Sequence, residues 1–226
     1  MSYDLRDSAS LEWLRDYVRG VIAGTEARDA LKPLAVPWRA MDGRLKAARD
    51  ERDEARFAHI GAIRRYAVLR VDFLAEVTTL SGTAYLAAGK DADAPPYSAL
   101  FSTTKAADFD ELGFNNLRDK SDDLFTKLDK INHPKLSDET ATLRALYGPL
   151  VEAGEARKAA RRALIPFEST RAALVIEVEE LGDRTEAAIL SQFPGKKELV
   201  RAVLAPAADT GRADKKENEA PKQGEQ

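Results

Sequence analysis

The chain has 226 residues, of which 44% are hydrophobic and 32% are charged, and its formal net charge is −3. The absence of cysteine excludes disulfides, thiolate metal sites and cysteine nucleophiles, and the negative charge argues against a general nucleic-acid binder. The first residues do not resemble a secretory signal, and no stretch long enough to cross a membrane is free of charges, so we expect a cytoplasmic protein without a membrane span.

The first two predicted helices form a hairpin. Apolar residues at helical spacing predict helix one from about Ser10, whose hydroxyl suits an N-cap, to Leu31. Helix two is predicted over residues 37–88 and begins with a charged arm, 44–56. Between residues 60 and 84 its apolar residues cover most of the circumference, which is typical of a buried helix. We therefore expect this part of helix two to form the centre of the core.

A second hairpin is predicted after a long non-periodic segment at 89–109. Helix three is predicted over 109–131, and the last long helix over 137–192. From Leu143 onward this helix has apolar residues at alternating steps of three and four, a spacing typical of left-handed helix packing. Pro149 and Pro166 lie inside it, and each removes a backbone hydrogen bond and is expected to kink or split it.

The two hairpins look like copies of each other. Segments that start at Gly43 and Gly148 match at about a third of positions over some thirty residues, and this similarity indicates an internal duplication. We predict an all-α fold: an elongated four-helix bundle of two helical hairpins, forming one domain over 1–205 with pseudo-repeats 10–101 and 109–204. A short helix at 196–204 follows, and residues 206–226, which are small, polar and charged, are predicted to form a disordered tail.

Motifs for catalysis or cofactor binding are absent from the sequence. The two histidines, His59 and His133, lack partners at metal-ligand spacing, and no glycine-rich phosphate loop or nucleophile elbow occurs. The acidic residues between 177 and 186 fall largely on the face opposite the apolar one, as expected for a solvated helix. We therefore predict no catalytic residue, no metal and no cofactor, and expect that the protein is not an enzyme.

One group of basic residues is more suggestive, because arginines four apart share a helix face and recur at equivalent positions of the apparent repeat. These candidate polyanion or partner contacts are Arg52, Arg56, Arg157, Lys158, Arg161 and Arg162. If the charged arm 44–56 and the matching part of the last long helix pack side by side, these residues could form a stripe that holds phosphate or acidic groups. Acidic residues are interleaved among them, so a salt-bridged solvated arm is the alternative interpretation.

Three classes of function remain open. The first is a non-enzymatic structural or interaction protein that offers helical surface to a protein partner or to itself. The second is a module that binds polyanions or acidic partners through the arginine stripe, although we expect no general binding of nucleic acid. The third is an enzyme or small-ligand carrier with a pocket beneath the loop at 90–109, where long loops are often functional.

Overall fold

The computed structural model describes residues 10–206, and 86% of these residues are helical with no strand. The predicted all-α class is therefore confirmed. The α-helices are α1 (Leu11–Glu26), α2 (Ala35–Ala87), α3 (Tyr97–Phe101), α4 (Phe114–Ile131), α5 (Ser137–Leu164), α6 (Pro166–Gln192) and α7 (Lys197–Leu204). Three 3-10 helices connect them, at Asp29–Leu34, Ala106–Glu111 and Pro134–Leu136. Most of the predicted tail lies outside the described residues.

The chain divides into two compact units. The first contains residues up to Glu54 and residues from Ile165 onward, and the second is Ala55–Leu164. Helix α2 contributes residues to both units. Each unit also takes residues from both of the predicted repeats, so the internal duplication and the hairpin arrangement stay predictions.

In the first unit, α1, the start of α2, α6 and α7 share one apolar core. Leu14 and Val18 from α1, Trp38 and Leu45 from α2, and Val178 from α6 are completely buried there. The apolar spacing along each helix places these side chains on one face, which then packs against the other helices.

Three polar groups within that core have hydrogen-bond partners. The buried Trp38 Nε1 donates a hydrogen bond of 2.9 Å to Thr185 Oγ1, whose hydroxyl donates in turn to the Leu181 carbonyl. The Tyr17 hydroxyl donates to the Leu204 carbonyl at 3.1 Å and so joins α1 to α7. Because a buried polar group without a partner costs free energy, these bonds favour one arrangement of the helices over others.

The second unit has its own core, formed by α2 beyond Glu54, α3, α4 and α5. Phe73, Val77 and Leu80 from α2 are completely buried there, and Leu143 from α5 is too. The segment between α2 and α4 also contributes, since Phe101 is buried in this core. At Gly154 an added Cβ would lie 1.9 Å from the Phe114 ring, so α4 packs directly on the α5 backbone at that point.

Two details of the helices differ from the sequence predictions, whereas the break expected at Pro166 is observed. Helix α1 ends at Glu26, and a tighter 3-10 turn carries Leu31 into the core instead of a continued α-helix. The predicted last long helix is split at Ile165, directly before Pro166, and this break coincides with the boundary between the units. Helix α5 continues through Pro149 without a break. The carbonyl that loses its helical hydrogen bond there belongs to Ala145, which is exposed to water.

The second half of α2 also contradicts its prediction. Only one stripe of it is buried, with Tyr66, Phe73, Val77, Leu80 and Ala84 at helical spacing. The opposite face, which carries Val68 and Val71, is exposed. The prediction that residues 60–84 form the centre of the core is therefore wrong, because the neighbouring helices of the unit cover one side of α2 only.

Candidate functional site

Arg52, the first of the predicted basic contacts, belongs to the first unit and is already paired. Its Nη2 lies 2.7 Å from Glu12 Oε1 and 3.0 Å from Asp53 Oδ1. These hydrogen bonds raise the pKa of Arg52, and a backbone hydrogen bond together with Arg52 lowers the pKa of Glu12. Arg52 therefore links α2 to the start of α1, and an incoming anion would have to compete with two carboxylates.

Arg157 and Lys158 lie in the second unit and pack on aromatic rings. The Arg157 guanidinium carbon is 4.3 Å from the centroid of the Tyr66 ring, and Lys158 Nζ is 4.4 Å from that of Phe114. Lys158 Nζ also lies 3.1 Å from Glu155 Oε1. Both cations are half-buried, so a packing role accounts for their positions.

Arg56, Arg161 and Arg162 are the remaining candidates, and all three are exposed in the second unit. Within residues 10–206, no ion pair is recorded for any of them. The predicted set therefore contains three cations with structural partners and three that point to solvent. A second charged-arm residue, Arg44, pairs with Glu177 of α6, its Nη2 lying 2.7 Å from Glu177 Oε1.

The loop proposed to cover a pocket contributes to the core of the second unit. Leu100, Phe101 and Phe109 are each 2% exposed. Tyr97 packs on Phe101 and Tyr85, with ring centroids 5.6 Å apart in both pairs. The apolar side chains of the loop therefore lie in the space where a ligand of the third function class would bind.

A cavity of about 330 Å³ lies at the turn between α4 and α5. Its charged lining residues, Asp129 and Arg144, pair with each other at 2.6 Å, so it offers no unpaired charge to a small ligand. His133, in the same turn, accepts a hydrogen bond from the Lys135 backbone N–H. The part of the chain that the structure describes has no cluster of three or more potential metal ligands, and none of its helices could span a membrane.

The most unusual surface of the described protein is the outer face of α2 in the second unit. Between residues 57 and 86, only three of the exposed residues are charged: Arg64, Arg65 and Asp72. The exposed fractions of its large apolar side chains are high, with Phe57 at 72%, Val68 at 62% and Val71 at 66%. Exposed apolar side chains are ordinary when scattered, but a continuous row of them along one face is typical of a contact surface.

This row has the spacing of a helix-packing seam. Its exposed positions follow one another at alternating steps of four and three, and we call them the outer seam: Phe57, Gly61, Arg64, Val68, Val71, Ala75, Thr78 and Gly82. Such a spacing keeps one side of a helix facing a neighbouring helix over several turns. The seam was not predicted from the sequence, because apolar residues on most sides of this segment indicate a buried helix. The signal that was available is a second row of residues at steps of three and four, on the face opposite the buried one.

Comparison with known proteins adds no functional information, since no family model, no curated protein and no solved structure matches the chain. Function must therefore be inferred from the surfaces of the protein itself.

Proposed function

We propose that the protein is a non-enzymatic helical interaction protein and that the outer seam of α2 is its contact surface. The observation that carries the proposal is the exposed row between Phe57 and Gly82, in which Arg64 is the one charged residue among apolar and small ones. Contact with a second helix would remove these side chains from water, at about 25 cal/mol for each Å² of apolar surface.

The seam fits a helix better than it fits an extended peptide or a small ligand. Its length along α2 is roughly 38 Å, from 25 residue steps of about 1.5 Å each. Its side chains are short at Gly61, Ala75 and Gly82, which allows a partner backbone to approach closely. A helical partner with matching apolar spacing would therefore pack along the whole seam by knobs-into-holes contacts.

Site-specific photocrosslinking tests this function. A photoreactive amino acid would replace Val71 in the seam, and, as a matched control, Ala156 on the exposed face of α5. The full chain would be expressed in its native cell, irradiated, and its adducts mapped by mass spectrometry. We expect discrete adducts from position 71, joined to a helical segment of a second protein molecule, and none above background from position 156. Equal labelling from both positions would contradict the proposal.

The polyanion-binding alternative is supported by one observation, the three exposed arginines without a recorded acidic partner. Against it, Arg52 is held by carboxylates, and Arg157 and Lys158 lie on aromatic rings. A stripe of six free cations is therefore reduced to Arg56, Arg161 and Arg162, and the interaction proposal has the stronger support.

A further inference from the structure

The partner that the outer seam fits best is a second copy of the same chain. This inference rests on the proposed function, since it names the molecule that the seam would contact. Its support comes from the sizes and charges of the residues along the seam. When the α2 helices of two copies run antiparallel, the residues of one seam are complementary in size and charge to those of the other.

The two largest residues of the seam, Phe57 and Arg64, face small residues when two copies pair antiparallel. In an antiparallel pair, positions whose residue numbers add to a constant face each other, and a sum of 139 places Val68 opposite Val71 of the other copy. The same register places Phe57 opposite Gly82, and Arg64 opposite Ala75. The bulkiest side chain of the seam then meets a residue without a side chain, which is the complementarity that close packing between helices requires.

The charges beside the seam are complementary in the same register. Between residues 57 and 86, Arg65 and Asp72 are the two exposed charged residues that directly adjoin seam positions, and no ion pair is formed by either within residues 10–206. Residues that flank an antiparallel seam on the same side face each other across it. Arg65 of each copy would therefore lie beside Asp72 of the other, which gives two symmetric ion pairs.

The glycines of the seam are explained by the same arrangement. An added Cβ at Gly61 or Gly82 would meet no atom within 4 Å, so packing within the described chain does not require glycine there. Glycine inside a helix is unfavourable relative to alanine. In the antiparallel pair, Phe57 of the other copy would pack against Gly82, and the absence of a side chain there would leave room for its ring.

From these observations we propose that two copies associate through antiparallel α2 helices, with Val68 facing Val71 and Arg65 facing Asp72 across a two-fold axis. The seam is roughly 38 Å long and a bare helix is about 10 Å wide, so the flat footprint is about 400 Å² per copy. The total of about 800 Å² for the two copies lies below the roughly 1,200–2,000 Å² that stable specific interfaces bury, so the dimer is weak and reversible.

Charge reversal tests the association. The full-length protein would be followed by sedimentation velocity over a concentration series up to about 100 µM, a range suited to micromolar dissociation constants. We expect the wild type to shift from monomer toward dimer, and Arg65→Asp and Asp72→Arg each to remain monomeric, because each change places like charges together twice. The double variant should regain the wild-type dimer, and Lys120→Asp on α4, an exposed control, should dimerise normally.

Orientation is tested by cysteine pairing, for which the natural chain gives no background because it has no cysteine. Val68→Cys and Val71→Cys would be purified separately, mixed in equal amounts and oxidised. We expect the mixed disulfide to make up clearly more than about half of the disulfide-linked product, the share that random pairing of equal amounts would give. A share of about half or less would overturn the antiparallel register, as would failure of the double charge variant to dimerise.

The two proposals can fail separately. A wild type that stays monomeric at about 100 µM, well above a micromolar dissociation constant, would overturn self-association. If Val71 still crosslinks to a different helical protein in the cell, the proposed interaction function stands. If position 71 gives no adduct above the Ala156 control and the wild type is monomeric, both proposals are wrong.

Discussion

Two valines six residues apart on α2 test the orientation of that helix. Val77 is completely buried in the second unit, whereas Val71 is 66% exposed. A Val→Ala change removes two carbon atoms in each case and improves helix propensity by the same amount, at most about 0.7 kcal/mol. The difference between the two variants therefore isolates burial, because both lie in the same helix and the same unit.

The expected magnitudes follow from the loss of apolar contact. At about 0.8 kcal/mol for each buried carbon, Val77→Ala loses roughly 1.6 kcal/mol of transfer free energy, and the remaining cavity raises the total to about 2–3 kcal/mol. The helix-propensity gain leaves a net cost of about 2 kcal/mol. Val71→Ala should be neutral or stabilising by a few tenths of a kcal/mol, since little apolar surface is buried there.

Urea unfolding followed by circular dichroism would measure both variants at low protein concentration, where contact between copies through the outer seam does not contribute. The midpoint should fall clearly for Val77→Ala and stay within error for Val71→Ala. Equal losses for the two variants would refute the assignment of buried and exposed faces, and with it the basis for the outer seam.

Two further predictions concern the charged groups. Partial burial alone would raise the pKa of Asp42, but hydrogen bonds from Arg15 at 2.8 Å and Arg19 at 3.1 Å outweigh it and lower the pKa below its ordinary 3.8. The stabilisation that Asp42 contributes should therefore be complete above about pH 5 and decline as the pH falls through the lowered pKa. The loss of unfolding free energy caused by Asp42→Asn should accordingly shrink between about pH 7 and pH 3, and a loss that stays constant over this range would contradict the prediction. Among the basic residues, Arg157→Gln should cost about 1 kcal/mol for its ring contact, and Arg161→Gln should change the free energy of unfolding by less than about 0.5 kcal/mol; thermal melting of both variants measures the contrast.

The fold class could be predicted from the sequence, and so could the buried face of α4. Polar residues in α4 leave only one of its faces apolar. Leu117, Leu124 and Leu128 recur on that face and are buried, so periodicity alone identifies their environment. The cap of α1 was also predictable: the Ser10 hydroxyl accepts a hydrogen bond from the Trp13 backbone N–H at 3.1 Å. In both cases the deciding interaction is local in the sequence.

Burial along α2 could not be predicted in the same way. A helix apolar on most sides can be surrounded by neighbours or covered on one side, and the sequence does not state how many neighbours it has. Tyr66 and Val68 both belong to rows of apolar residues at helical spacing, yet Tyr66 is 3% exposed and Val68 is 62% exposed. The pairing of Arg44 with Glu177, 133 residues away, is likewise set by which helices meet. The exposed face of α2 and the partners of the arginines both depend on tertiary contacts that the sequence does not specify.

The seam and the exposed arginines can be separated by their response to salt. Burial of the seam is driven mainly by apolar surface, and sulfate strengthens such burial because it is excluded from protein surfaces. Ammonium sulfate should therefore raise the dimer fraction, even though it screens the two Arg65–Asp72 pairs. Binding of heparin by Arg56, Arg161 and Arg162 would instead weaken steeply with salt, because it depends on counterion release. We expect negligible heparin binding at physiological ionic strength, from the net charge of −3 and from the acids that already hold Arg52. Micromolar, salt-sensitive heparin binding that disappears when the three arginines are changed to glutamine would favour the polyanion function, and sulfate-enhanced dimerisation would favour the seam.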